Sequence, residues 1–196
     1  MYGVDVSAKR ADDLDKKLLA TVSENRGSRV LELGCGSGAQ SQRLVAAGAA
    51  VTAVDIQGYS DWENEKKLHF VEADMREFLE QCSSTFGYCS FQRTIHYLPY
   101  DDALAVLKKL RKLVTKRLYI SVSGLESDIG DCYAAKNSSI KERFAKINQT
   151  GAETFSISEP LCLYTPEEFM VLLQDSGWTI EELWVSAFGN IKAICC

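Results

Sequence analysis

Three glycines at alternate positions, Gly34, Gly36 and Gly38, close the run Val30-Leu31-Glu32-Leu33-Gly34-Cys35-Gly36-Ser37-Gly38. An apolar segment that stops this abruptly reads as a buried strand feeding a tight turn, with a helix over 39–47 behind it. Glycine tolerates positive φ and lets a ligand approach the bare backbone. The first turn of the following helix offers unpaired N–H groups to the ligand's negative end. That is the chemistry of a nucleotide-cofactor site in an open α/β sheet. Two more acids end apolar runs further on. Val51-Thr52-Ala53-Val54 leads to Asp55, and a carboxylate at such a strand end can accept both hydroxyls of a ribose. Leu68-His69-Phe70-Val71-Glu72-Ala73 leads to Asp74 and Met75, where Asp74 also suits the N-cap of a helix over 76–82.

The spacing Gly34-x-Gly36-x-x-Ala39 fits the loose dinucleotide fingerprint, so a nicotinamide enzyme is one reading. Glu32, two residues before Gly34, is not part of that fingerprint. The whole string from Val30 to Gly38 resembles motif I of the class I S-adenosylmethionine-dependent methyltransferases. The resemblance implies S-adenosyl-L-methionine as cofactor and S-adenosyl-L-homocysteine as product. It implies that Glu32, Gly34, Cys35, Gly36 and Gly38 form the cofactor turn and that Asp55, with Ile56 beside it, takes the ribose. By the same resemblance the Asp74 carboxylate meets the adenine amino group and the Met75 N–H meets the ring.

The acceptor side begins after the fourth strand, at Phe91-Gln92-Arg93-Thr94-Ile95-His96-Tyr97-Leu98-Pro99. It lacks the Asn-Pro-Pro-Tyr or Asp-Pro-Pro-Tyr of family members that methylate amides and exocyclic amines. It resembles the hydrophobic-His-[His/Tyr/Trp]-Leu-Pro form of small-molecule methyltransferases, with Gln92, counted among the cofactor-binding residues, where that group often has Asn. The resemblance therefore implies a small-molecule acceptor. His96, with an ordinary pKa near 6.5, is a candidate general base or a structural residue. Tyr97 is a candidate to lend its hydroxyl to substrate or simply to pack. Arg93 is a candidate to hold an acidic acceptor or to form a surface ion pair. Long insertions with their own aromatics are often lids over active sites, and 124–164 is too long for an ordinary connection. Tyr133, Arg143, Phe144 and Tyr164 are its candidates for acceptor contact, the alternative being a satellite core under the loop. Tyr2 and Arg10 are placed to close over the cofactor.

Elements must hold these residues at one edge. Apolar spacing gives a helix over 11–22, packed on the sheet edge and covering the pocket, then strand 29–33, helix 39–47, strand 50–55, a short helix near 60–65, strand 68–72, helix 76–82, strand 87–92, helix 100–114 and strand 117–123. A helical patch follows near 140–147. Thr165-Pro166-Glu167-Glu168 is a capping box with proline at the first helical position, opening a helix to about Asp175. Two strands around Phe188-Gly189-Asn190 make a terminal hairpin. Strand–helix alternation implies an α/β fold with a parallel sheet and helices on both faces. With the hairpin it matches the Rossmann-like, doubly wound, seven-stranded class I methyltransferase sheet, mostly parallel with a C-terminal antiparallel hairpin, as one domain over 1–196.

The chain has 196 residues, a net charge of −5 and a pI near 5.2. An acidic balance argues against nucleic acid as partner, because phosphate binding needs a basic surface. The basic run from Lys108 to Arg117 reads as a solvated helix face. Seven cysteines without a C-x-x-C pair, no apolar leader and no apolar span favour free thiols, a cytoplasmic location and no membrane partner. With two histidines, no metal constellation emerges. Two other functions fit the same cofactor signature: a catalytically idle S-adenosylmethionine-binding partner or regulator, and a tRNA or protein methyltransferase. Nothing in the sequence fixes the oligomeric state.

Overall fold

A computed structural model describes residues 2–3, 9–58 and 66–196, so the helix expected near 60–65 lies outside the described residues. The chain opens with α1 (Asp13–Glu24), β1 (Arg29–Leu33), α2 (Ala39–Ala47), β2 (Ala50–Asp55) and β3 (Leu68–Glu72). It continues with α3 (Met75–Gln81), β4 (Phe86–Gln92), α4 (Tyr100–Leu113) and β5 (Val114–Ser123). Local sequence accounts for these bounds. Asp12 caps α1 in a capping box with Asp15, and Asp74 caps α3 by accepting the Arg76 N–H. In α4 the acids Asp101 and Asp102 sit in the first turn and Arg111 and Lys112 in the last, each sign where the helix dipole favours it.

After β5 come α5 (Asp128–Asp131), β6 (Phe144–Ala145), α6 (Gln149–Phe155), β7 (Leu161–Cys162), α7 (Pro166–Asp175), β8 (Ile180–Val185) and β9 (Asn190–Cys195). The main sheet has seven strands in the order β3-β2-β1-β4-β5-β9-β8. Strands β1 to β5 run parallel, and β9 lies antiparallel to both β5 and β8. The fold class expected from the sequence is thus the fold observed. Because β1 lies between β2 and β4, the chain direction of the crossovers reverses there. A crevice opens outside the carboxyl ends of those strands, the position where open α/β sheets bind ligands.

Both faces of the sheet are covered. Leu107 and Leu110 of α4, Phe169 and Leu172 of α7 and Leu79 of α3 join Leu31, Phe91 and Ile120 on one side. Leu14, Leu18 and Val22 of α1 join Leu44 of α2, Val30, Tyr88 and Tyr119 on the other. Helix α1 therefore packs on the sheet face beside α2 and not on the sheet edge. Its apolar stripe needs a flat apolar partner, and the face over β1, β4 and β5 supplies one.

Residues 124–164 build a cluster of their own from Leu125, Tyr133, Ile147, Ile157, Leu161 and Leu163. The helical patch expected near 140–147 is not helical. Phe144 and Ala145 are extended and pair with Cys162 and Leu161. The spacing of Ile140, Phe144 and Ile147 mimics a helix, but Arg143 between them spends its side chain on distant backbone carbonyls. The helix starts later, where Asn148 accepts the Gly151 N–H at 2.8 Å. Among the described residues no helix is long and apolar enough to cross a membrane.

Candidate active site

The glycine turn sits at the carboxyl end of β1. Gly34 has φ 69°, and its N–H donates to the Val54 carbonyl at 2.8 Å. A Cβ at Gly34 would lie 2.2 Å from Thr94 Oγ1, so this turn and the one after β4 meet with no room for a side chain. Gly36, at φ 55°, donates its N–H to Asp55 Oδ2 at 2.8 Å, and the Gln57 N–H donates to Asp55 Oδ1 at 3.0 Å. The acid at the end of β2 therefore shapes the turn after β1 as well as facing the crevice. Glu32 is buried and accepts the hydroxyl of Ser41, which ties β1 to α2. Cys35 is buried in the core below the turn, and Gly38 opens α2 in the left-handed region.

Asp74 lies between β3 and α3. It caps α3 through the Arg76 N–H at 2.8 Å, and it faces the crevice beside Met75. The Arg76 guanidinium grips it at 2.6 Å and also reaches Asp102 at 3.0 Å. That hydrogen-bonded cation holds the Asp74 carboxyl below its usual range, against a smaller opposing effect of burial.

Two cavities flank the turn. One of about 410 Å³ runs from Asp55, Ile56, Asp74 and Met75 past Gly34 and Gly36 to His96, Tyr97, Ile129, Phe155 and Ile157. The other, of about 550 Å³, lies under α1 and the β8–β9 turn, lined by Arg10, Asp15, Glu32, Cys35, Gln40, Trp184 and Lys192. Gly34, Gln92 and Arg93 border both. Gln92 Nε2 donates to Asp15 on α1, whose carboxyl burial pushes up to about 6, helped by the nearby charge of Asp12. Lys192, also buried, bridges Asp12 (2.6 Å) and Asp13. Gln40 is 2 % exposed, and its Nε2 has no hydrogen-bond partner among the described residues, so a buried donor awaits an acceptor in the second cavity.

His96 lines the first cavity at 2 % exposure, and its Nδ1 accepts the Ser123 N–H at 3.2 Å. Burial, aided by the charge of Arg93, pulls its pKa down to about 3. A neutral ring whose Nδ1 accepts must carry its proton on Nε2. At neutral pH the ring can give a hydrogen bond and has no free lone pair with which to take a proton. The Tyr97 hydroxyl donates to the Tyr2 carbonyl at 2.6 Å, and the two rings meet edge to face at 5.0 Å. Burial raises the Tyr97 pKa. Tyr2 is fixed in turn by bridge pairing with Ile157, and Gly3 N–H donates to Ser156 at 3.0 Å. Tyr2 and Gly3 thus line the first cavity, and Arg10 borders the second.

None of Tyr133, Arg143, Phe144 and Tyr164 lines either cavity. The Tyr133 hydroxyl sits between the carbonyls of Leu161 (2.6 Å) and Arg143. The Arg143 guanidinium, 5 % exposed, donates to Ser138 and Leu163 carbonyls and pairs with Glu168 at 2.5 Å. Phe144 packs against the main core, and Tyr164 is fully buried against Phe169 at 5.9 Å. A strand-poor segment must satisfy its backbone carbonyls somehow, and the side chains of Tyr133 and Arg143 do that work. Ile129, Thr154, Phe155 and Ile157 face the cavity in their place. No sequence signal separates an isoleucine that walls a cavity from one that fills a core. Asp15 and Gln40 were missed for a related reason, since each reads as an ordinary polar helix residue. No group of three His, Cys, Asp or Glu among the described residues could hold a metal ion.

Residues 30–117 match the sequence model of a family described as "Methyltransferase domain". The ubiquinone biosynthesis O-methyltransferase of Aromatoleum aromaticum is 32% identical over 87 residues, which cover 41% of this chain and 37% of that one. The cypemycin N-terminal methyltransferase of a Streptomyces species is 35% identical over 105 residues, covering 48% and 42%. These matches thus span less than half the length of the curated relatives. In structure, 1,6-didemethyltoxoflavin-N1-methyltransferase of Burkholderia thailandensis, solved with 1,6-didemethyltoxoflavin and S-adenosylhomocysteine, superposes with a TM-score of 0.65. It shares 17% identity, over 93% of this chain and 77% of that one. Magnesium protoporphyrin IX methyltransferase of Synechocystis, with bound S-adenosylhomocysteine, gives a TM-score of 0.61 at 18% identity, over 92% and 80%.

Proposed function

This chain belongs to the class I S-adenosylmethionine-dependent methyltransferases, and on that premise we propose that it moves a methyl group from S-adenosylmethionine to a small-molecule acceptor. One observation carries the reading. The cavity that holds the strand-end acids Asp55 and Asp74 continues without a break into a chamber walled by Tyr2, Tyr97, Ile129, Phe155 and Ile157. A donor and a small acceptor can meet there.

The residues present fit the cofactor. Ile56 and Met75 offer an apolar slot for adenine beside Asp74, and the Asp55 carboxylate faces the ribose position. The turn at Gly34 admits no Cβ because the Thr94 side chain fills that space, which locks the turns after β1 and β4 together at the edge of the cavity. The unpartnered Gln40 Nε2 and Arg10 in the second cavity suit the carboxylate of an amino-acid tail. When bound, the cofactor supplies a methyl group already activated on a sulfonium. The chain's task is then to orient two reactants and keep water out. Gln92 and Arg93, bordering both cavities, would stand where they meet. Residues 1–196 act as one methyltransferase unit, with 124–164 as the wall over the acceptor.

Calorimetric titration with S-adenosylmethionine, S-adenosylhomocysteine and NADH tests the cofactor. Micromolar binding of the first two and none of the third is expected. Binding of NADH alone would overturn the reading. Transfer of a radiolabelled methyl group to a panel of small molecules then tests the activity, and intact binding without transfer to any acceptor would leave a cofactor-binding partner protein.

A further inference from the structure

Arg93 stands out at the acceptor chamber. It is one of two non-glycine residues with positive φ, at 49°, among the described residues. A left-handed backbone is costly for a non-glycine residue and persists where the surroundings enforce it. Here the Arg93 N–H is held by the Ser121 carbonyl at 2.8 Å. Glycine would relieve that cost, so the side chain is the reason to look further. Its charge is felt by both His96 and Tyr97, which places the guanidinium beside the acceptor chamber. Among the described residues no carboxylate pairs with it; Arg76 and Lys192 at these cavities each hold two acids, and Arg10 and Lys16, which line only the second cavity, show no ion pair among the described residues.

The rest of the chamber is apolar or neutral. Tyr2, Tyr97, Phe155 and Ile157 give flat and branched apolar walls. His96, protonated on Nε2, can only donate a hydrogen bond into it at neutral pH. The acids of the first cavity, Asp55 and Asp74, lie at the adenosine end, and Asp74 is already neutralised by Arg76. The charges of Glu159, Asp74 and Asp55 reach Tyr2 and that of Glu159 also reaches Tyr97, but Glu159 is not part of the lining. An unpaired cation over apolar walls, with a hydrogen-bond donor alongside, is complementary to an anion on a flat apolar body.

We infer that the acceptor is a small planar acid whose anionic group is held by Arg93, which makes Arg93 the residue that sets acceptor specificity. This rests on the methyltransferase reading for its second ligand and on the geometry of Arg93 for the first.

The test uses the full chain saturated with S-adenosylhomocysteine and three probes of one shape and different charge: benzoate, benzamide and benzylamine. Binding is followed by ligand-observed NMR. Benzoate is expected to bind at least ten times tighter than the other two. Arg93→Gln should bring benzoate to the level of benzamide, and Arg93→Lys, which keeps the charge, should retain most of the preference. S-adenosylhomocysteine affinity should change less than threefold in both variants. Undetectable benzoate binding, a preference for benzylamine, or an undiminished benzoate preference in Arg93→Gln overturns the inference. So does a tenfold loss of S-adenosylhomocysteine affinity with the preference intact, because Arg93 would then serve the cofactor tail. If S-adenosylhomocysteine does not bind while Arg93-dependent benzoate binding persists, the methyltransferase reading fails and the anion site stands.

Discussion

The turns after β1, β2, β3 and β4 and the segment 124–164 border the same chamber, yet they use their polar residues in opposite ways. At the strand ends Asp55, Asp74, Gln92 and Arg93 face the cavities. Parallel strands satisfy their backbones within the sheet, so the side chains just past their ends hold only neighbouring turns and helix ends, as Asp55 and Asp74 do, and still line the cavity. In 124–164 the ladder is only two residues per strand, and Tyr133 and Arg143 turn inward to hold carbonyls. A large polar side chain is thus evidence for a site where the backbone is already paired. Where it is not, the same side chain is evidence for internal scaffolding.

The largest expected break in this contrast is at the turn itself. Gly34→Ala puts a Cβ 2.2 Å from Thr94 Oγ1 in a left-handed residue. Overpacking and backbone strain together should cost about 2–5 kcal/mol. Cofactor binding should fall below calorimetric detection and the melting temperature should drop. Near-normal affinity would mean that the close approach of the two turns is unimportant.

Arg143→Met tests the other side. Removing one partner of a buried pair leaves Glu168 with only the Thr165 N–H and leaves two carbonyls without their donor, at a cost of about 3 kcal/mol by urea unfolding. S-adenosylhomocysteine affinity well below the melting point should not move, and a tenfold loss there would return Arg143 to the site. Asp55→Ala should do the reverse. It should weaken cofactor binding by about 1.5–3 kcal/mol, the scale of hydrogen bonds to a charged group, with a smaller effect on folding.

The pH dependence of stability separates α1 from the strand ends. Asp15 is pushed up to about 6 from 3.8, so its folded form prefers the proton. Its contribution is whole below pH 3.8 and is lost as pH rises through about 6. His96 is pulled down to about 3 from 6.5, so its contribution is whole above pH 6.5 and is lost as pH falls toward 3. The two oppose each other across the interval they share, where unfolding free energy from urea titrations should be nearly flat. Asp15→Asn should leave stability that rises with pH there, and His96→Gln should leave stability that falls. Parallel curves for wild type and both variants would show that neither group titrates as its burial demands. The smallest effect is at Tyr97→Phe, which removes the hydrogen bond to Tyr2 and should cost about 1 kcal/mol. Faster amide exchange at Gly3 would register the loosened N-terminal segment, and unchanged exchange would show that pairing with Ser156 and Ile157 suffices.

Much of this protein was legible in its sequence. The bounds of β1, α2, β2, β3 and α7 follow from apolar runs, glycine punctuation and the Thr165 capping box, because these are local signals set by backbone sterics and unpaired helix-end groups. The alternation of strands and helices determined the layers, and the order of acids at strand ends determined which edge of the sheet would carry chemistry. Only the tertiary structure decided which side chains reach the chamber. The proton on His96 Nε2 depends on the Ser123 N–H, which belongs to a neighbouring strand. The pairing of Gln92 with Asp15 joins residues 77 positions apart. That no carboxylate among the described residues pairs with Arg93 is likewise visible only in three dimensions. Residue type records what a side chain can do, and whether it faces ligand or backbone is settled by long-range packing, which periodicity along the chain does not encode.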